Sequence, residues 1–334
     1  MSFMKRITPF IVIFLALTLC SGWGFLVHKT VQQLAVYELP DALQPFFYRN
    51  LENLVNNAVR PDIRRNDDST EASKHFIDLE MYGSNAANKM PMDWASAQKK
   101  YSKDSLLKYG YVPYHIIYMK GKLTAAFASG NKDSILFYAA DMGHYIADAH
   151  VPLHTTVNYD GQLTNQKGLH SLWESMIPEL NLEDYHLYSS HRAVYLKKPE
   201  KAIWAAVRHA AALVPGMLEK EKQVSAGFTE EQKFRTQIRR GKESKSYTTA
   251  FAKAYALQLG LTINEQLVSS ANMIADMWFT CWTDAGKPDL GPITTGWNAD
   301  LKNRLEGDMK AFAEDKLLET KRLLSKKPET KEVE

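Results

Sequence analysis

The stretch His144-Tyr-Ile-Ala-Asp148-Ala-His150-Val-Pro-Leu-His154, followed by Gly168-Leu-His170-Ser-Leu-Trp-Glu174, constrains this chain more than any other. His144 and Asp148 are four residues apart, and so are His170 and Glu174. Residues four apart share one face of an α-helix. Imidazole and carboxylate together are typical ligands of zinc. Pro152 predicts where the first helix stops, because proline lacks an N–H and clashes with the preceding turn. His154 is then expected just beyond a helix end, free to point at a metal. One such pair could be a surface ion pair. Two pairs and a third histidine within this short span read as a metal site.

Upstream lie more candidate ligands: His28, Asp62 in Arg60-Pro-Asp-Ile-Arg-Arg65, and His75, which opens His75-Phe-Ile-Asp78. The chain start reads as a secretory signal, residues 1–22. Lys5 and Arg6 precede an apolar run from Ile7 to Leu19, and Cys20-Ser-Gly22 supplies small residues for cleavage. The run is too short for a membrane span. Cleavage after Gly22 is expected, with lipidation at Cys20 as the alternative. Trp23 would then be the new N-terminus, five residues before His28.

Loss of Lys5 and Arg6 lowers the formal charge from +3 to +1. A nearly neutral chain lacks the polybasic signature of a dedicated duplex-DNA binder. Only Cys281 would remain, among Trp278, Phe279 and Trp282, and it reads as an ordinary buried cysteine. The length suffices for one large core.

Helical patterning dominates. Apolar residues recur at three and four spacings over 28–39, 41–58, 101–129, 133–151, 169–176, 199–221 and 247–283. Convincing alternating strands are missing. Residues 60–74, 155–168 and 284–298 read as loops. The fold class is therefore all-α: one multi-helix domain over 23–285, then a loop and a charged amphipathic helix in 286–326, and a disordered tail at 327–334. That helix carries Leu305, Met309, Phe312, Leu317 and Leu324 on one side. It is expected to pack by that face, with transient membrane-surface contact as the alternative.

From Trp23 to about Glu174 the chain resembles a superfamily that holds zinc-dependent phospholipases C and single-strand-specific nucleases of the P-one and S-one type. The resemblance implies three zinc ions. The first would be bound by Asp62, His75, His144 and Asp148. The second would be bound by His154, His170 and Glu174. The third would use the α-amino group and carbonyl of Trp23, with His28 and a bridging Asp148. An uncleaved chain would present an amide at Trp23, a poor ligand. Two close zincs would share a hydroxide that attacks phosphorus in line. Asp62 would orient the attacking water as well as bind metal. Arg65 is a candidate for a phosphate oxygen, or a surface arginine. Phe76 could line the substrate cleft or belong to the core. Asp78 could hold a ligand imidazole or contact substrate. Asn158 is a further substrate candidate. His150 and His115 read as neighbouring, core or surface residues, and His186, His191 and His209 carry no pattern.

The substrate divides the reading. Trp23-to-His28 spacing and Asp62-x-x-Arg65 look like the nucleases. Glu174, where those nucleases usually have Asp, looks like the phospholipases, as does the short segment from His154 through Asn158 to His170. Leu79 departs from the proline of the phospholipase His-Phe-x-Asp-Pro pattern, and no lipid-binding β-sandwich follows. The sequence tilts slightly to an exported, periplasmic or secreted zinc phosphodiesterase of the phospholipase C type. The alternative is a nuclease of single-stranded DNA or RNA, with possible nucleotidase activity and base stacking on Phe76. The third reading is a zinc-binding surface protein without turnover. No obligate protein partner is evident.

Overall fold

The structure, a computed structural model, describes residues 24–239 and 242–326. The expected leader, Trp23 and the tail at 327–334 lie outside the described residues. The helices that frame the core and the site are α1 (Phe25–Tyr37), α2 (Gln44–Arg49), α3 (Leu51–Asn57), α4 (Val112–Ser129), α5 (Lys132–Asp148), α6 (Pro199–Ser225), α7 (Thr249–Leu259), α8 (Thr262–Asp284) and α9 (Ala299–Ala313). Among the described residues the fold is all-α but for one hairpin, β1 (Phe234–Arg239) with β2 (Lys242–Tyr247).

Local chemistry sets the helix bounds. Asn131 caps α5 by accepting from the Ser134 N–H at 2.9 Å. The helix ends at Asp148, and Pro152 opens a separate 3-10 turn, Pro152–Thr155, that carries His154. Pro113 lies in the first turn of α4, and left-handed Gly130 ends it.

α1, α4, α5 and α8 form the centre. α1 packs on α3, α5 and α8, and α4 and α5 pair with each other and with α8. Trp278 of α8 is fully buried and stacks on Phe47 of α2, with ring centroids 4.7 Å apart. Its indole N–H donates to the Ala139 carbonyl of α5 at 3.1 Å, so the polar edge of this ring has its partner inside the core. A smaller core cluster gathers Leu169, Leu172, Trp173, Tyr247 and Phe251 under the hairpin.

Several expected elements differ. The β1–β2 hairpin was not visible because its residues are mostly polar. Only its open end, the Phe234–Tyr247 pair, supplies aromatic anchors. The segment 41–58 is two helices, broken at Asn50, and 101–129 is interrupted at Ser102 and Gly110, both at positive φ. Gly260, also at positive φ, divides 247–283 into α7 and α8. The expected loop 60–74 contains a short helix, Arg60–Arg64. The C-terminal helix stops at Ala313 rather than running to 326. Left-handed Asp315 turns the chain, and its carboxylate accepts from the Leu187 and Tyr188 N–H groups at 2.8 and 3.0 Å. Phe312, Leu317 and Leu323 then bury into the main core, so 286–326 shares that core. Among the described residues no helix is long and apolar enough to cross a membrane.

At the end of α1, Glu38 is 1% exposed. Burial, and then the nearby Asp276, push its carboxyl from the ordinary 4.5 to about 9, against a smaller pull from Arg192. Between those two values the native state keeps a proton that the unfolded chain has released, so stability falls as pH rises across that window. Glu38→Gln keeps the shape and removes the titration. Its Tm relative to the parent should therefore climb from pH 5 to pH 9. A difference that stays constant with pH would show that Glu38 titrates normally.

Candidate metal centre

Six segments deliver the ligand candidates. α1 supplies His28, the Arg60–Arg64 helix Asp62, the chain after the Ala72–Lys74 turn His75, and α5 both His144 and Asp148. His154 comes from the Pro152–Thr155 turn, and His170 and Glu174 from a helical segment that widens into a π turn at Leu172–Met176. Three sets bring ligand atoms within 4.8 Å of one another: Asp62, His75 and His144; His28, His144 and Asp148; and His154, His170 and Glu174.

Asp148 links the sets. It is 1% exposed. One oxygen lies 2.9 Å from His75 Nδ1 and 3.3 Å from His144 Nε2. The other lies 3.4 Å from His154 Nδ1 and 3.6 Å from His28 Nε2. Asp62 Oδ1 sits 3.7 Å from both His75 Nδ1 and His144 Nε2. His170 Nε2 lies 2.5 Å from Glu174 Oε2 and 3.1 Å from His154 Nε2. The rings of His28 and His144 stack with centroids 3.9 Å apart. Gly24, the first described residue, lies against Glu174: a Cβ there would meet Oε1 at 3.0 Å.

The charges respond to this crowding. Burial pushes His144 down to about 4, helped by His28. Burial also drives His75 down, but Asp148, Glu71 and Asp62 overcome it and lift the ring to about 9. For Glu174, burial is opposed by His170, His154 and His28, which hold the carboxyl at about 2. Asp148 is held well below the usual carboxylate range by His144, His154 and His75, despite burial. Three carboxylates facing five imidazoles in a largely buried space form a donor set suited to divalent cations, because buried charge needs a compensating charge. The residues fit zinc chemistry.

The outer contacts were less legible in the sequence. Glu71 is fully buried and lies 3.5 Å from His75 Nε2, opposite the nitrogen that faces Asp148. It also accepts from the Tyr145 hydroxyl and, at 2.6 Å, from Lys74 Nζ. Glu71 precedes His75 by four residues, the same spacing that marked the other pairs, and that was the available signal. The Ala58 carbonyl lies 2.8 Å from His144 Nδ1. The Ala58 contact sets which nitrogen of His144 faces the cluster, and Glu71 places a carboxylate behind His75. Asp141 accepts from Arg60 and Arg64, each at 2.6 Å, and so joins Asp62's helix to α5.

The remaining candidates lie outside the three ligand sets. Arg65 is exposed, with Nη1 3.5 Å from Asp62 Oδ1. Phe76 is half-buried against Gly110, whose φ of +84° and close approach to the Phe76 carbonyl leave no room for a Cβ. Among the described residues Asp78 makes no ion pair with a ligand imidazole, and Glu71 is the carboxylate that lies behind His75. Burial, and then Glu80, lift the Asp78 carboxyl to about 6. Asn158 is buried and braces its own loop, accepting from the Leu163 N–H at 2.7 Å and donating to Thr164 Oγ1 at 3.0 Å. His150 is buried beside α5, with Nδ1 2.8 Å from the Ile146 carbonyl. His115 is buried edge-on to Tyr145, and burial lowers it to about 3.

No curated protein matches this chain. A model of the S1/P1 nuclease family matches residues 23–277, which spans the whole ligand set. The match gives no support to the phospholipase tilt drawn from Glu174 and the short loop, and it favours the nuclease alternative. The ligand histidines, their carboxylate partners and the helices that hold them all fall inside the matched region, and the chain belongs to the S1/P1 nuclease family, whose members are phosphoric ester hydrolases.

Proposed function

We propose that this protein is an exported, zinc-dependent nuclease of single-stranded nucleic acid, holding three zinc ions in its mature form. The observation that carries the reading is the convergence of five histidines and three carboxylates into three sets joined by Asp148, within a chain that belongs to a nuclease family. Asp62, His75, His144 and Asp148 would hold one ion. His154, His170 and Glu174 would hold the second. His28, Asp148 and the freed amine and carbonyl of Trp23 would hold the third.

Zinc supplies positive charge that polarises water and offsets the negative charge of a phosphoryl group. The chain's residues do the rest. Asp62, partly exposed at the mouth, orients the incoming water along the line to phosphorus. Arg65 beside it binds a non-bridging phosphate oxygen. The half-buried Phe76 offers a ring face to an unpaired base, which a duplex would not present. Asp78 accepts from that base, and it does so as a carboxylate.

Protein prepared with Trp23 as its first residue should contain about three zincs by mass spectrometry. It should cut single-stranded DNA and leave phosphatidylcholine vesicles intact. Cleavage of the lipid with DNA untouched would overturn the nuclease reading in favour of a phospholipase. The same protein with an N-terminal extension should lose one zinc equivalent.

Glu71→Gln weakens the acceptor behind His75, and zinc affinity should fall about 10–100-fold. Competition against a chelator measures it, and an unchanged affinity would remove Glu71 from the metal site's support.

Because Asp78 loses its charge below about pH 6, KM for a short single strand should rise as pH falls through 6. Asp78→Asn should flatten that rise in KM. A KM profile that Asp78→Asn leaves unchanged would exclude contact between Asp78 and substrate.

A further inference from the structure

Behind the metal centre, α1, the Leu169–Met176 segment and α8 border a cavity of about 20 Å³ whose lining includes His28, Trp173, Gln266 and Ser270. Each of these four residues is at most 4% exposed. His28 Nδ1, Trp173 Nε1 and Gln266 Oε1 are buried and have no hydrogen-bond partner in the protein. Buried polar atoms without partners are rare, and a group of them at one cavity points to an occupant. The Gln266 amide nitrogen donates to the His150 carbonyl, which leaves Oε1 as the free end. The Ser270 hydroxyl donates to the Leu267 carbonyl at 2.8 Å and keeps lone pairs for accepting.

The chemistry of these groups selects the occupant. The volume exceeds the roughly 10–15 Å³ that one water requires, and it admits nothing much larger. The indole N–H can only donate, which disfavours a cation. Two donors, His28 Nδ1–H and Trp173 Nε1–H, and two acceptors, Gln266 Oε1 and Ser270 Oγ, match the four hydrogen bonds of a water molecule.

We propose that this cavity is a binding site for one internal water, which fixes His28 as its Nδ1–H tautomer. The lone pair of His28 is then on Nε2, the atom 3.6 Å from Asp148 Oδ1. Gln266 thereby becomes a positioning residue for His28, acting through the water and without contact with substrate. The consequence for metal affinity rests on the reading of His28 as a zinc ligand. The water and the tautomer do not.

Two measurements on the unaltered protein test this directly. A high-resolution crystal structure should show one water within hydrogen-bond distance of His28 Nδ1 and Gln266 Oε1. Nitrogen-15 NMR of metal-free protein at pH 8.5 should show His28 protonated on Nδ1. A cavity without water, or His28 protonated on Nε2, overturns the proposal. Gln266→Met then removes the acceptor at similar length. Chelator competition should show one zinc equivalent bound about 10–100-fold more weakly, with the others unchanged. Equal affinity for every equivalent would remove Gln266 as a positioning residue. Should Gln266→Met not fold, the two measurements on the unaltered protein still decide the question. Metal-free behaviour also separates the two readings. Unaltered protein that binds no zinc would sink the nuclease reading, while the water and the tautomer would stand.

Discussion

A single buried carboxylate organises this molecule. Asp148 sits at the end of α5, and its two oxygens face imidazoles from four other positions in the chain, His28, His75, His144 and His154. An ionised carboxylate removed from water costs several kcal/mol unless charge and hydrogen bonds compensate it. His144 comes from α5 itself, and the other three compensating groups must each arrive from a different element. α1 has to lie along α5 to deliver His28, and the Pro152 turn has to fold back to deliver His154. The central arrangement of α1, α5 and α8 satisfies that demand at one end while burying Trp278 and its neighbours along its length.

The ligand-bearing loops are tied to one another by backbone hydrogen bonds. The Ile77 N–H donates to the His154 carbonyl at 2.8 Å, which couples the segment after His75 to the second ligand set. On its other side, the Asp78 N–H donates to the Tyr109 carbonyl, and the Val112 N–H donates to the Phe76 carbonyl. Gly110 makes this clamp possible, since only a residue without a Cβ approaches Phe76 so closely. Displacement of His75 would thus be felt at Phe76, at Asp78 and at His154 together. A site that must hold several donors to within about half an ångström gains from such shared backbone.

The sequence made the helices and two of the candidate ligand pairs legible because both follow fixed periods, while His28, Asp62 and His75 rested on the family resemblance. His144 with Asp148 and His170 with Glu174 show the four-residue spacing directly, and Pro152 marked the end of α5. Glu71 with His75 has the same spacing but lies on a short 3-10 turn within an irregular stretch, so no helical pattern drew attention to it. Asn158 follows His154 closely in sequence, and the structure adds that its amide closes the loop to Leu163 and Thr164. The hairpin hid for a different reason: its sequence is mostly polar, and its anchoring to Glu221 through Tyr247 and Lys233 is a long-range contact. The cavity partners Trp173, Gln266 and Ser270 meet His28 only in three dimensions, and nothing in their local sequence records it.

The polar network outside the ligands explains how so much buried charge is tolerated. Arg60 and Arg64 both bind Asp141, and Arg64 reaches Glu71, which also takes Lys74 and the Tyr145 hydroxyl. Their guanidinium groups keep contact with solvent at 27% and 29% side-chain exposure, while Asp141 and Glu71 are at 1% and 0%. The cost of desolvation thus falls mainly on the acids, which receive two or more charged donors each. Removing one member of such a set strands a buried charge and costs about 3–5 kcal/mol, far more than an exposed ion pair contributes. That asymmetry makes the network a rigid backing for His75 and for Asp62's helix. It is built from side chains of the chain alone, and it sits directly behind His75 and Asp62.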